Sequence, residues 1–109
     1  MQGPVYKSLT PGELKGKLER GEKPVLLDVR EPWEFALARI EGSMLVPMNE
    51  ILGRLPELDS SAETVVVCHY GTRSAFVTQA LDRYGFEAAY NLEGGLDAYS
   101  MVDSSVPRY

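Results

Sequence analysis

Thr64-Val65-Val66-Val67-Cys68-His69-Tyr70-Gly71-Thr72-Arg73-Ser74 is the stretch on which the fold turns. The β-branched run from Thr64 to Val67 reads as a strand buried on both faces. It ends at Cys68, the only cysteine in the chain. A short loop with one glycine, Gly71, follows. Ser74 to Tyr84 then carries helical spacing through Ala75, Phe76, Ala80, Leu81 and Tyr84. The stretch is therefore a strand, a tight loop and a helix, with a thiol where the loop begins. Helix N-termini offer unpaired backbone N–H groups and a partial positive charge. A thiol placed there ionises easily, and an anion binds there as well. The sharp reading is a nucleophilic cysteine in an anion cradle. The bland one is a buried packing residue at the end of a valine run.

Outward from this stretch the chain alternates strands and helices. Val5 to Leu9 reads as a short first strand. Thr10 is an N-cap, Pro11 suits a first turn and Glu13 completes a capping box. Leu14 and Leu18 give that helix an apolar stripe, and Gly21 ends it. Pro24 to Val29 is a second buried strand, and Glu31 to Leu37 starts a short helix with Pro32 in its first turn. Met44-Leu45-Val46 is a third strand stopped by Pro47, and Met48 to Leu55 a short helix with Ile51, Leu52 and Leu55 inward. After the central stretch, Gly85 caps the helix and Phe86 to Tyr90 forms a fifth strand. Gly94-Gly95 turns the chain into a last helix through Leu96, Tyr99 and Met101, and the tail from Asp103 reads as irregular. This alternation predicts an α/β fold, a five-stranded, mostly parallel sheet with helices on both faces. Ligands bind beyond the carboxyl ends of such strands. Asp28 and Cys68 both lie at such ends, which predicts one site holding Cys68, Asp28 and Arg30.

Length and composition bound the function. The 109 residues suit a single domain, 1–109, and a hydrophobic fraction of 44% is ordinary for a globular protein. The net charge of −5 argues against nucleic acid or an anionic membrane as the main partner. No apolar run approaches the ~20 residues of a membrane helix. The N-terminus lacks a signal peptide's apolar core, so a cytoplasmic location is expected. One cysteine leaves no internal disulfide and no resolving thiol, so sulfur chemistry at Cys68 must finish on another molecule. One cysteine and one histidine cannot build the usual zinc site, and no metal or other cofactor is expected.

Three segments together resemble the rhodanese-like domain, a sulfurtransferase family. Leu27 to Phe35 is similar to its D-V-R-x-x-x-E-[FY] segment. Cys68 to Ser74 matches its C-x-x-G-x-R-S loop, and Asn91 to Tyr99 resembles its closing L-x-G-G-[IL]-x-A-[WY] segment. The order and spacing hold from about Leu9 to Tyr109. Ala38 to Ser43 departs from the frequent G-H-I-P-G-A, and Tyr99 stands for the more frequent tryptophan. The tail from Val102 to Tyr109 looks like the end of rhodanese domains fused to adenylyltransferases, which charge small sulfur-carrier proteins.

The resemblance implies a thiosulfate sulfurtransferase. Cys68 would take the outer sulfur of thiosulfate or a related donor and pass it, as a persulfide, to a thiol or cyanide acceptor. Helix N-termini and nearby cations bring a thiol pKa from about 8.5 to roughly 3.5–7.5, which suits that attack. Gly71 lets the loop turn inward, and the N–H groups of residues 69 to 73 can then face the sulfur. Arg73 can hold an anionic donor or the loop itself, and Ser74 can donate to the thiolate or cap the helix. His69, Tyr70 and Thr72 are expected at the mouth, and Asp28 and Arg30 behind the loop. Plainer roles stand beside these. Asp28 would cap the next helix, Arg30 would pair with a surface carboxylate, and His69 would serve the rim rather than act as a base. Trp33, Phe35 and Tyr70 would be packing residues, and Gly94-Gly95 turn chemistry.

Other function classes fit parts of the pattern. One is a relay module that delivers persulfide sulfur to a carrier protein or a thiolation pathway. Another is a cysteine phosphatase, whose loop carries five residues between cysteine and arginine. Here four lie between Cys68 and Arg73, which leaves a smaller ring. A non-catalytic binding domain is the third, and such forms commonly lack the cysteine.

Overall fold

The β-branched run forms strand β4, Thr64–Val67, with every residue buried. Its alternation divides the interior into two layers. Val65 and Val67 pack with Leu9, Leu14, Leu26, Leu92, Leu96 and Tyr99. Val66 and Cys68 pack on the opposite face with Leu27, Val29, Ile51, Val77, Leu81 and Phe86. A strand apolar on both sides needs a cover on both sides, and successive side chains alternate between those covers.

The computed structural model describes residues 6–109. Around β4 lie β1 (Lys7–Leu9), α1 (Pro11–Glu19), β2 (Val25–Asp28), α2 (Pro32–Leu37), β3 (Met44–Leu45), α3 (Thr72–Arg83), β5 (Ala89–Leu92) and α4 (Gly95–Tyr99). Two short 3-10 segments, Met48–Glu50 and Leu52–Glu57, stand where one helix was expected; Pro56 lies within the second. The sheet runs β1-β5-β4-β2-β3, and each pair of neighbours is parallel. The α/β fold is as expected, and the described strands are parallel throughout. Val5, expected in the first strand, lies outside the described residues.

Local chemistry explains most boundaries. The Thr10–Glu13 capping box forms as the sequence predicts. Helix α3 starts at Thr72, two residues earlier than expected, because Gly71 takes a φ of 94° as its N-cap. The face that points inward also differs from the expected one. Ser74, Val77, Thr78 and Leu81 are buried, whereas Phe76 and Tyr84, expected on the inner stripe, are 70% and 59% exposed. At the other end Gly85 adopts a φ of 89° and the Phe86 N–H donates to the Leu81 carbonyl at 3.0 Å. This closure uses Phe86, whose ring fills the core. The fifth strand therefore begins at Ala89 rather than Phe86.

The Gly94-Gly95 turn does more than reverse the chain. Both residues have positive φ, 71° and 62°. From the start of α4, the Leu96 N–H donates to the Cys68 carbonyl at 2.8 Å and the Asp97 N–H to the His69 carbonyl at 3.0 Å. A Cβ on Gly95 would stand 2.6 Å from the Cys68 carbonyl oxygen and collide with the His69 carbonyl. The glycine is thus the space into which the Cys68 loop fits. Gly95→Ala is expected to cost about 2 kcal/mol or more in denaturant unfolding, from backbone strain plus this collision. Gly12→Ala, with open space around its added carbon and an ordinary φ, should cost less than half as much. Equal losses would show that the α4 contact carries no special weight.

Candidate active site

Cys68 stands just past the carboxyl end of β4 and is 1% exposed. Its Sγ receives two backbone N–H groups, from Gly71 at 3.1 Å and from Ser74 at 3.3 Å. The Ser74 hydroxyl lies 3.2 Å from the same sulfur. Two backbone donors from one loop thus face the sulfur, an arrangement that favours negative charge there, and the hydroxyl lies beside them. Ser74 sits in the first turn of α3 rather than capping it. Its hydroxyl is 2.5 Å from Asn91 Oδ1, on β5. Gly71 is buried against the Gly94-Gly95 turn, with only 3.0 Å between a would-be Cβ and the Gly94 nitrogen.

Arg73 turns toward α2. Its two terminal nitrogens donate to the two Glu34 carboxylate oxygens at 2.7 and 2.9 Å. Glu34 also accepts from the Glu31 N–H at 3.1 Å and from the Tyr109 hydroxyl at 2.8 Å. The Arg73 guanidinium, helped by those donors and opposed by burial, holds the Glu34 carboxyl down at about 2. Arg73 is itself pushed further up by Glu34.

Asp28 and Arg30 come together, but behind this pair rather than at the sulfur. Both are wholly buried. The Arg30 Nε donates to both Asp28 oxygens at 2.9 and 3.1 Å, and a terminal nitrogen reaches Asp28 Oδ2 at 2.7 Å. The remaining Arg30 donors go to the carbonyls of Glu34 and Ala38 and to the Tyr109 hydroxyl. So the charge of Arg30 is answered by Asp28 and adds little to the loop. Asp28 accepts the Arg30 N–H instead of capping α2, whose N-cap is Glu31. The expected surface partner for Arg30 gives way to a buried one.

Tyr109 ties these groups together. Its hydroxyl accepts from Arg30 at 2.7 Å while donating to Glu34. Burial, with Glu34 beside it, pushes this phenol up to about 12, so it stays protonated and able to donate. Its ring meets His69 edge-on, with centroids 4.2 Å apart, and Tyr70 meets His69 from another side at 4.0 Å. His69 Nε2 is buried with no hydrogen-bond partner among the described residues. His69 therefore packs at the rim and makes no bond to Cys68. Tyr70 and Thr72 are exposed at the mouth. Trp33 and Tyr70, read above as packing residues, are 62% and 67% exposed.

A model of the rhodanese-like domain matches residues 10–101. The chain belongs to the rhodanese-like domain family. Among its relatives, the putative sulfurtransferase YtwF of Bacillus subtilis is 37% identical over 93 residues, spanning 85% of this chain and 89% of YtwF. The probable adenylyltransferase/sulfurtransferase MoeZ of Mycobacterium tuberculosis is 38% identical over 98 residues, 85% of this chain and 24% of MoeZ. The chain spans between 24% and 37% of the length of several curated relatives that it matches. Among solved structures, a rhodanese-like domain protein from Staphylococcus aureus superposes with a TM-score of 0.84 at 34% identity, over 94% of this chain and 98% of that one.

Within this rhodanese-like domain, three contributors to the loop's surroundings have no role legible in the sequence pattern: Glu34, Asn91 and Tyr109. Glu34 and Asn91 were in the quoted segments, but their partners lie 39 and 17 residues away. Tyr109 was in a tail that read as irregular.

The Glu34 carboxyl yields a pH prediction. Its folded value near 2 is below the ordinary 4.5. A lowered carboxyl contributes stability that is fully present above the unfolded value and is lost as pH falls through the folded one. Glu34→Gln should therefore lose about 2 kcal/mol at neutral pH and unfold with a shallower stability loss between pH 4.5 and 2 than the parent. Urea unfolding across that window reads both. A parallel pH slope in the two proteins would show that the pair does not titrate with folding.

Proposed function

We propose that this chain is a sulfurtransferase that carries a sulfane sulfur on Cys68. The observation behind this is the Cys68 sulfur itself, held by the Gly71 and Ser74 N–H groups at 3.1 and 3.3 Å. Membership of a family whose relatives are named sulfurtransferases supports the same reaction class.

In the first half-reaction the Cys68 thiolate attacks the outer sulfur of thiosulfate or a related donor. A new S–S bond forms to Cys68, the donor's S–S bond breaks, and sulfite leaves with that electron pair. In the second, an acceptor nucleophile attacks the outer sulfur and the Cys68 thiolate departs with its electron pair. The sulfur changes hands without net oxidation. Loop N–H groups stabilise the charge at both stages, which is the electrostatic work such sites do. Cyanide serves as an acceptor in an assay; a thiol is the natural class.

A relay to a protein acceptor is the second reading. Trp33, Tyr70 and Phe76 stand 62–70% exposed on elements bordering the loop. An exposed aromatic rim suits a docked protein better than a free small molecule. MoeZ carries an adenylyltransferase/sulfurtransferase name, and YrkF of Bacillus subtilis, 33% identical over 82 residues, a sulfur-carrier name.

Intact-mass measurement after thiosulfate treatment tests the proposal. The protein should gain one sulfur atom and release one sulfite, cyanide should remove that sulfur, and Cys68→Ser should gain nothing. An unchanged mass in the parent protein, or a gain that survives Cys68→Ser, overturns it. Turnover of an aryl phosphate without sulfite release would point to a phosphatase instead.

A further inference from the structure

Ser74 faces a problem of supply. Its hydroxyl has one proton and two close neighbours, Cys68 Sγ at 3.2 Å and Asn91 Oδ1 at 2.5 Å. With Cys68 as a thiol, the bonds run one way: S–H to the Ser74 oxygen, and the Ser74 O–H to Asn91 Oδ1. With Cys68 as a thiolate, the same placement fails. Sulfur anion and amide oxygen are then both acceptors, and one proton cannot serve both.

A half-turn of the Asn91 amide removes the conflict. Oxygen and nitrogen of that group are nearly the same size. Asn91 Nδ2 then donates to the Ser74 oxygen, and the Ser74 O–H is released to donate to the sulfur. Among the described residues the turn breaks no other bond, because the one side-chain hydrogen bond of Asn91 there is that of Oδ1 with Ser74. Asn91 is otherwise buried, 4% exposed, and fixed on β5 between Ser8 and Val66. Its amide is therefore positioned, and free to present either end.

We infer that Asn91 is a positioning residue that acts through Ser74, its amide turning so that the Ser74 hydroxyl donates to Cys68 whenever the sulfur is charged. Each charge state has a complete chain of bonds, running in opposite directions. The inference concerns the thiolate that the proposed sulfur transfer needs, and so deepens that reading. Other charged groups near the loop are already matched. Arg73 pairs with Glu34, Arg30 with Asp28, and Asp97 on α4 with Arg108. The Tyr109 phenol lies between Arg30 and Glu34, and His69 is stacked between Tyr70 and Tyr109. None of them bonds to the sulfur.

A double-mutant cycle on the full chain tests this. Thiolate absorbance against pH, taken as the difference from Cys68→Ser, reads the sulfur directly and requires no sulfur transfer. Ser74→Ala should move the thiolate midpoint up by about half to one pH unit, since a hydrogen bond to the charged form is lost. Asn91→Leu removes only the group that orients the Ser74 hydroxyl, so it should shift the midpoint by less, and adding it to Ser74→Ala should move it no further. Side-chain amide resonances of Asn91 should shift with the thiolate midpoint in the parent protein. An Asn91→Leu shift that persists in the Ser74→Ala background, or no shift at all, overturns the inference. Asn91→Val enters the same cycle if Asn91→Leu does not fold. A failed persulfide test with an intact cycle would sink the sulfurtransferase proposal and leave this inference standing.

Discussion

Two hydrogen bonds, from the start of α4 to the carbonyls of Cys68 and His69, set up everything at the sulfur. In a trans peptide the C=O and the following N–H point in opposite directions. Pinning the carbonyls of residues 68 and 69 to α4 therefore turns the N–H groups of residues 69 and 70 away from it. Gly71, with φ of 94°, completes the reversal and brings its own N–H onto Sγ. The contact is possible only because Gly95 lacks a side chain. The closing glycine pair and the cysteine loop are one device, made by segments about 27 residues apart along the chain and adjacent in space (Cys68 and Gly95).

A second constraint is ionic. From Asp28 through Arg30, Tyr109 and Glu34 to Arg73, carboxylates and guanidiniums are joined by hydrogen bonds, with the neutral Tyr109 phenol between Arg30 and Glu34. Buried charges without partners are costly, whereas a fully bonded chain of them holds its members in one geometry. The chain starts on β2, passes through the tail and ends in the first turn of α3. It thereby anchors Arg73 from outside the loop. Arg73 spends two of its five N–H donors on Glu34, so its part in holding the loop's shape is built in, whatever else its remaining three do. Arg30, by contrast, is spent entirely on groups behind the site.

What was legible beforehand follows from the range of each signal. The capping box of α1 and the strand–loop–helix at Cys68 are local patterns, and they formed as read. The phase of α3 was not legible. Apolar residues recur on more than one face of that helix, and Thr78 and Ser74, both polar, turned inward to bond the Ser74 carbonyl and the Asn91 amide. Phe76 and Tyr84 were displaced outward. Gly94-Gly95 read as ordinary turn chemistry, because a glycine's close neighbour across space leaves no trace in its own segment. Tyr109 was hidden for the same reason: its partners lie 75 and 79 residues earlier. Motif resemblance located the loop, but not the bonds that make its members act together.

Proton accounting then separates the reactions this loop suits. Sulfite and thiolate leave as stable anions and need no proton from the protein. An alkoxide leaving from a phosphate ester does need one, supplied by a general acid near the nucleophile. The carboxyl bonded to this loop, Glu34, is held at about 2 by Arg73 and is ionised at neutral pH. It has no proton to give. His69 is packed between two tyrosines and does not reach the sulfur. The Tyr109 hydroxyl is already donated to Glu34. With each of these groups occupied, the cradle stabilises charge without a proton to give, which suits the proposed sulfur transfer better than phosphate-ester cleavage. The ring of four residues between Cys68 and Arg73 is one shorter than the five of a cysteine phosphatase loop.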